Sequence, residues 1–309
     1  MKKSGQTASL VGKTTLLLVA VIVVGLTTTG LLAGSIDRRQ PPAPSTSEDE
    51  RLYLSGSTAR RMSLAFNGLA ADWYWMRSLQ YVGRKLLMVP QDVVLDDLGE
   101  LNLKLLAPLL DTATTLDPSF MEPYEYAALV LPSIDVNEAI RITNKGISAN
   151  PNSWRLYQHL GYIYWQQKDY ETASQTYAEG ATIPGAPNWM EAMSARMAAE
   201  GGSRELAREI YQRMYAQASE DTVREMARRR LLQLDSMDQR DALKHILALF
   251  QERVGRCPSS WKELERALYS MKWSVDVNGA PLDPSRTPYV LNTDECDVRL
   301  APNSVIPHR

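Results

Sequence analysis

The chain has 309 residues, 44% of them hydrophobic and 23% charged, with a formal net charge of -2. That balance suits a globular helical domain with room for a smaller second one, and it excludes a whole-molecule attraction to nucleic acid or acidic lipid. Two cysteines and three histidines are too few and too scattered for a metal framework, so neither a metal nor a cofactor is expected.

Lys2, Lys3 and Lys13 precede an uncharged run rich in Leu, Val and Ala, residues 14–34, about long enough for a helix to cross a bilayer core. Residues 1–13 are then expected in the cytoplasm and 14–34 as a transmembrane anchor. The alternative is a signal peptide cut near Leu32-Ala33-Gly34. The run exceeds the usual signal-peptide core, which favours the anchor, and the lysines before it place the bulk of the chain on the periplasmic or extracytoplasmic side. Residues 35–56 contain QPPAPSTSED, a proline- and serine-rich tether with no apolar periodicity.

Residues 57–119 read as a divergent helical pair. Ser57 and Thr58 are expected to cap a helix running to about Lys85. Its stripe of Met62, Phe66, Leu69, Trp73 and Met76 is expected in the core, since aromatic stripes at helical spacing seldom form a binding platform. A second segment, Val93 to Leu116, is expected to bend at Pro108, where the ring removes a backbone donor.

The most patterned stretch runs from Asn152 to Ala186, two amphipathic helices hinged at Lys168-Asp169. Gly161 and Ala173 carry almost no side chain and let the helices approach, while Leu160, Tyr164 and Tyr177 fill the space around them. The small residues recur at a step of roughly 34 residues: Ala139, Ala173 and Ala207; Ala127, Gly161 and Ala195; Gly146 and Gly180. With Tyr157, Leu160 and Tyr164 around Gly161 and Pro151 between units, residues 120–221 resemble three tetratricopeptide (TPR) repeats, the outer two departing from the pattern at Pro123, Ala198 and Met214.

The resemblance implies a mostly α fold, an α-solenoid of helical hairpins whose first helices line a concave face for a protein or peptide partner. By register that face holds Met121, Tyr124, Ala128 and Leu131, then Arg155, Gln158, Tyr162 and Trp165, then Trp189, Ala192 and Arg196. Of these, Tyr124, Arg155, Gln158, Tyr162, Trp165, Trp189 and Arg196 are the candidate groove residues. Aromatics with two arginines suit a segment of some acidic character. The lysine-and-asparagine pattern of chaperone-tail receptors is absent.

Residues 222–255 are expected to form a further helical pair. Arg224, Arg228, Arg229 and Arg230 are its basic patch, read as a solvated or salt-bridged face and not as a nucleic-acid site. Residues 256–309 read as a small α+β module. Ser259 or Ser260 caps a short helix, and short strands follow at Trp273–Val277, Tyr289–Leu291 and Cys296–Leu300. On the oxidising side of a membrane, Cys257 and Cys296 are candidates for a disulfide closing a loop of about 40 residues. The run Gly255 to Leu264 with Asp283-Pro284 and Pro288–Leu291 is similar to the C-terminal part of pseudopilin-like secretion subunits, which implies an alternative role as a structural subunit of an envelope secretion or pilus-type assembly. His159, His245 and His308 stand apart from one another and no glycine-rich phosphate loop or nucleophile elbow is present, so no catalytic site is expected.

Overall fold

The computed structural model describes residues 20–32, 35, 54–89 and 98–308. The chain divides into two units, Met1–Tyr53 and Leu54–Arg309, each described by itself. In the first, residues 20–32 are helical, with the Thr27 and Thr28 hydroxyls donating back to the Val23 and Val24 carbonyls. Among the described residues no helix is long and apolar enough to cross a membrane. Residues 1–13, the start of the anchor expected at 14–34 and nearly all of the tether lie outside them.

The second unit is mostly helical with one small sheet. It opens with α1 (Gly56–Met62) and α2 (Asn67–Leu87), where one helix was expected. Leu64 and Ala65 adopt positive φ values of 47° and 74°, a left-handed geometry no helix can continue through. Neither Ser57 nor Thr58 caps; the helix enters after Ser55, whose side chain makes no capping bond. Pro108 does not bend a long helix either. It sits in the first turn of α3 (Leu106–Leu116), where a missing N–H costs nothing.

Three hairpins follow: α4 (Met121–Val130) with α5 (Val136–Ala149), α6 (Trp154–Gln166) with α7 (Tyr170–Ala181), and α8 (Trp189–Glu200) with α9 (Arg204–Gln217). Asp135 and Asp169 cap α5 and α7 by accepting from the Asn137 and Thr172 amides, and Lys168 takes φ 60° at the hinge. Ser203 precedes α9 without a side-chain cap bond. The recurring alanines Ala127, Ala139, Ala173, Ala195 and Ala207 are all fully buried. The glycines mark the closest approaches: a Cβ on Gly161 would lie 2.8 Å from the Tyr177 ring, and one on Gly146 would lie 2.8 Å from that of Tyr124. Ser174 in α7 donates to the Ser194 carbonyl of α8 at 2.9 Å, a buried bond from one hairpin to the next.

The three helices α1–α3 meet this stack through ion pairs at α3. Lys145 of α5 reaches the Asp111 carboxylate at 3.0 Å and the Thr115 hydroxyl at 2.6 Å, while Arg141 meets Asp111 at 2.9 Å. Burial opposes the Asp111 charge, yet the two cations hold its carboxyl below the usual carboxylate range.

Residues 221–254 are a single helix, α10 (Asp221–Val254), and not the expected pair. No glycine or proline interrupts them, and Gly255 ends them at φ 80°. Its first half supplies Ala227 and Leu234 to the core of the last hairpin, and its second half supplies Leu243, Ile246 and Leu247 to the core of the C-terminal module. One rigid element therefore belongs to both.

That module carries α11 (Glu265–Ser270) and an antiparallel pair, β1 (Val290–Asn292) and β2 (Asp297–Arg299), in register Leu291 to Val298. The strand expected at Trp273–Val277 reduces to one bridge, Val275 to Pro281, because Asp276 turns the chain by accepting from the Asn278 and Ala280 amides. Trp261 and Tyr289 centre its core, the indole donating to the Tyr289 carbonyl at 3.1 Å and the phenol meeting the Ser236 hydroxyl of α10 at 2.9 Å. Asp283 is buried with every oxygen occupied, by the Ser285 and Thr287 amides and the Ser285 and Ser304 hydroxyls.

Cys257 and Cys296 are joined by a disulfide with Cα atoms 5.6 Å apart. Replacing both by serine is expected to cost roughly 3 to 4 kcal/mol in the chain-entropy account. Thermal denaturation with and without reductant measures it: the intact protein should lose stability on reduction and the double-serine variant should not respond.

Candidate partner-binding groove

The first helices α6 and α8 lie near enough for their side chains to meet, at two places. At the C-terminal ends the Trp165 indole donates to Glu200 at 3.1 Å, the Arg196 guanidinium donates to the same carboxylate at 2.7 Å, and that guanidinium lies 5.4 Å from the Trp165 ring centre. Tyr162 packs edge-on to Trp165 at 5.5 Å and accepts from Gln166. At the N-terminal ends Trp154 meets Trp189 edge-on at 6.1 Å, with Arg155 over Trp154 at 5.5 Å. Gln158 lies half-buried between the two clusters, while Tyr162, Trp189, Arg155 and Arg196 are exposed.

The face thus offers two aromatic platforms, each with a guanidinium on a ring. Such pairs give a ligand flat apolar area and a charged fork that is only partly spent on its neighbours. Arg196 is shared between Glu200 and the indole, so an incoming carboxylate exchanges one partner for another without leaving the cation unpaired.

Tyr124 does not belong to this face. It is fully buried, its ring fills the gap left by Gly146 and its hydroxyl points at the Thr114 carbonyl, and burial pushes its phenol up to about 12. Ala128 and Leu131 are buried as well. The first hairpin therefore spends its first helix on packing, and of its register positions only Met121 stays partly accessible.

No protein-family model and no curated protein matches the sequence. The geometry of the groove carries the functional reading alone.

Beyond Arg196 the face continues into a cavity of about 190 Å³ between α8 and α10. Ala199, Tyr211, Leu234 and Met237 line it, with Arg230 and Arg240 at its rim. Among the described residues neither arginine forms an ion pair; Arg230 donates to the Gln233 amide oxygen and Arg240 to the Ser236 carbonyl. The other arginines of the basic patch are spent within α10, Arg224 on Asp221 and Arg228 and Arg229 on Glu225. Register reading stops short of this site, although the signal is present: Tyr162, Arg196 and Arg230 are spaced at the same repeat step. Glu200, which organises the Trp165 and Arg196 side chains, carries no such periodic signal. Among the described residues no group of three histidine, cysteine or acidic side chains could hold a metal ion.

Proposed function

We propose that this chain is a scaffold of the TPR type, anchored to a membrane by its N-terminal apolar run, that holds an acidic protein segment on the extracytoplasmic side along the face of α6, α8 and α10. The single observation that carries the reading is the line of Tyr162, Trp165, Arg196 and Arg230, with Tyr162 and Arg196 exposed and Trp165 and Arg230 half-buried, ending at a small apolar cavity. Aromatic and arginine side chains on a rigid support are the residue types that dominate binding energy at protein interfaces. An acidic residue beside an aliphatic one fits the last part of that face, the carboxylate meeting Arg230 and Arg240 and the side chain entering the cavity. The disulfide between Cys257 and Cys296 supports a location outside the reducing cytoplasm. Confinement to a surface raises the effective concentration of a partner held there.

The test is a crosslinking pull-down from native membranes with the intact protein and with Tyr162→Ala plus Arg230→Glu. One protein captured by the intact form should bind the variant about 30-fold or more weakly, the loss of about 2 kcal/mol expected for a hot-spot pair. Far-UV circular dichroism should be unchanged, since both side chains are at least partly exposed. Identical capture by both forms would leave the groove without a role.

A further inference from the structure

The largest concentration of exposed apolar side chains outside the N-terminal segment lies on α1, the turn after it and the outer side of α2. Leu64 is 80% exposed, Phe66 70%, Leu69 71% and Leu87 87%, and Trp73 and Met76 are more than half exposed. Of these, Phe66, Leu69, Trp73 and Met76 belong, with Met62 at 63% exposed, to the stripe that the sequence assigns to the core. The core of α2 is instead its other side, where Ala71, Tyr74, Ser78, Tyr81 and Val82 are buried, and α3 covers it. An outward apolar stripe of this extent needs a cover, and none of the described residues of this unit supplies one. The turn adds to it: Leu64 and Ala65 stand in left-handed geometry, a conformation that costs energy in non-glycine residues and is held here with Leu64 and Phe66 facing outward.

Charge selects the cover. Residues 54–82 contain Arg60, Arg61 and Arg77 and a single acid, Asp72. A second copy of the chain would bring these cations against their own counterparts, with only Asp72 to balance them. An anionic lipid surface accepts all of them. Arg77 lies over the Trp73 ring at 5.3 Å, with its aliphatic stem along the apolar side and its head able to reach a phosphate. Phe, Leu, Trp and Met on one side of a helix with arginines flanking them is the composition of a helix that lies in the headgroup layer.

We propose that α1, the turn at residues 63–66 and the outer side of α2 form an interfacial foot that inserts Leu64, Phe66, Leu69, Trp73 and Met76 into the headgroup layer of an anionic membrane. The proposal rests on the membrane reading above and adds a second contact to it. The foot makes the folded unit a peripheral membrane body in its own right and fixes the orientation in which the groove is presented.

Full-length protein reconstituted in phosphatidylcholine–phosphatidylglycerol vesicles with brominated acyl chains provides the test. Trp73 is the first tryptophan in the sequence, so the N-terminal run contributes no emission. Brominated lipid should quench a component of the fluorescence that is missing from Trp73→Phe, and Phe66→Asn with Leu69→Asn should lose most of that quenching while circular dichroism stays the same. Equal quenching of the intact and Trp73→Phe proteins, with both still floating with the vesicles, overturns the foot and leaves the anchor standing. Protein that fails to float with the vesicles at all overturns both. An unquenched Trp73 together with a dimer captured by amine crosslinking assigns this side to a second copy and overturns the lipid assignment.

Discussion

Replacing Gly161 by leucine is expected to break the central hairpin. A Cβ at this position already falls 2.8 Å from the Tyr177 ring, which is 2% exposed. Alanine there gains about 1 kcal/mol of helix propensity and loses a similar amount to crowding, so its net effect is small. Leucine adds three more carbons to the same contact and is expected to cost about 3 kcal/mol or more. In a domain of this size that lowers the melting temperature by roughly 6 to 12 °C. Thermal denaturation of the three proteins checks it. Leucine tolerated as well as alanine would mean that α6 and α7 are not held at the separation described.

The second large effect is expected at Asp235→Pro in the middle of α10. Asp235 is exposed and contributes one ion pair, to Arg208 at 3.3 Å, so Asp235→Ala should change stability by less than about 1 kcal/mol. Proline removes a helical hydrogen bond, clashes with the preceding turn and costs about 3 kcal/mol or more. The cost falls on a helix whose two halves supply different cores, Ala227 and Leu234 on one side and Leu243, Ile246 and Leu247 on the other. A protein that unfolds in one transition should then unfold in two, the C-terminal module separating from the hairpins. Urea denaturation followed by tryptophan fluorescence resolves this, since Trp261 and Trp273 report on the module and Trp154, Trp165 and Trp189 on the stack.

The hairpins were legible because close helix contacts demand small side chains at a fixed step, and Ala139, Ala173 and Ala207 meet that demand in the residues themselves. Orientation was less legible where a helix is apolar on both sides. In α2 the larger stripe, Phe66 to Met76, was assigned inward, while the structure buries the narrower side of Ala71, Tyr74 and Tyr81. Amount of apolar surface does not decide which side α3 covers; shape does, with Ala71 and Ser78 admitting a neighbour that Trp73 would hold off. Tyr124 misled in the opposite way. Its register matches a groove position, but Gly146 opposite leaves a space that only a ring fills. The length of α10 followed from an absence of breakers that looked unremarkable beside the regular hairpins.

Of the proposed groove, repeat register alone names Arg155, Gln158, Tyr162, Trp165, Trp189 and Arg196 as side chains reaching one face of α6 and α8. Its extension to Arg230 and Arg240 needed the knowledge that Arg224, Arg228 and Arg229 are spent on acids one turn away and Arg230 is not. Four arginines on one stretch of helix look alike until their partners are known.

The measurement that bears most directly on the account places a photo-crosslinking amino acid at Tyr162, on the proposed binding face, and in a second protein at Glu209, exposed on α9. Both are irradiated in native membranes. The account predicts one discrete adduct from position 162, lost when Arg230→Glu is added, and no matching adduct from position 209. The same adducts from both positions, or none from 162, would contradict it.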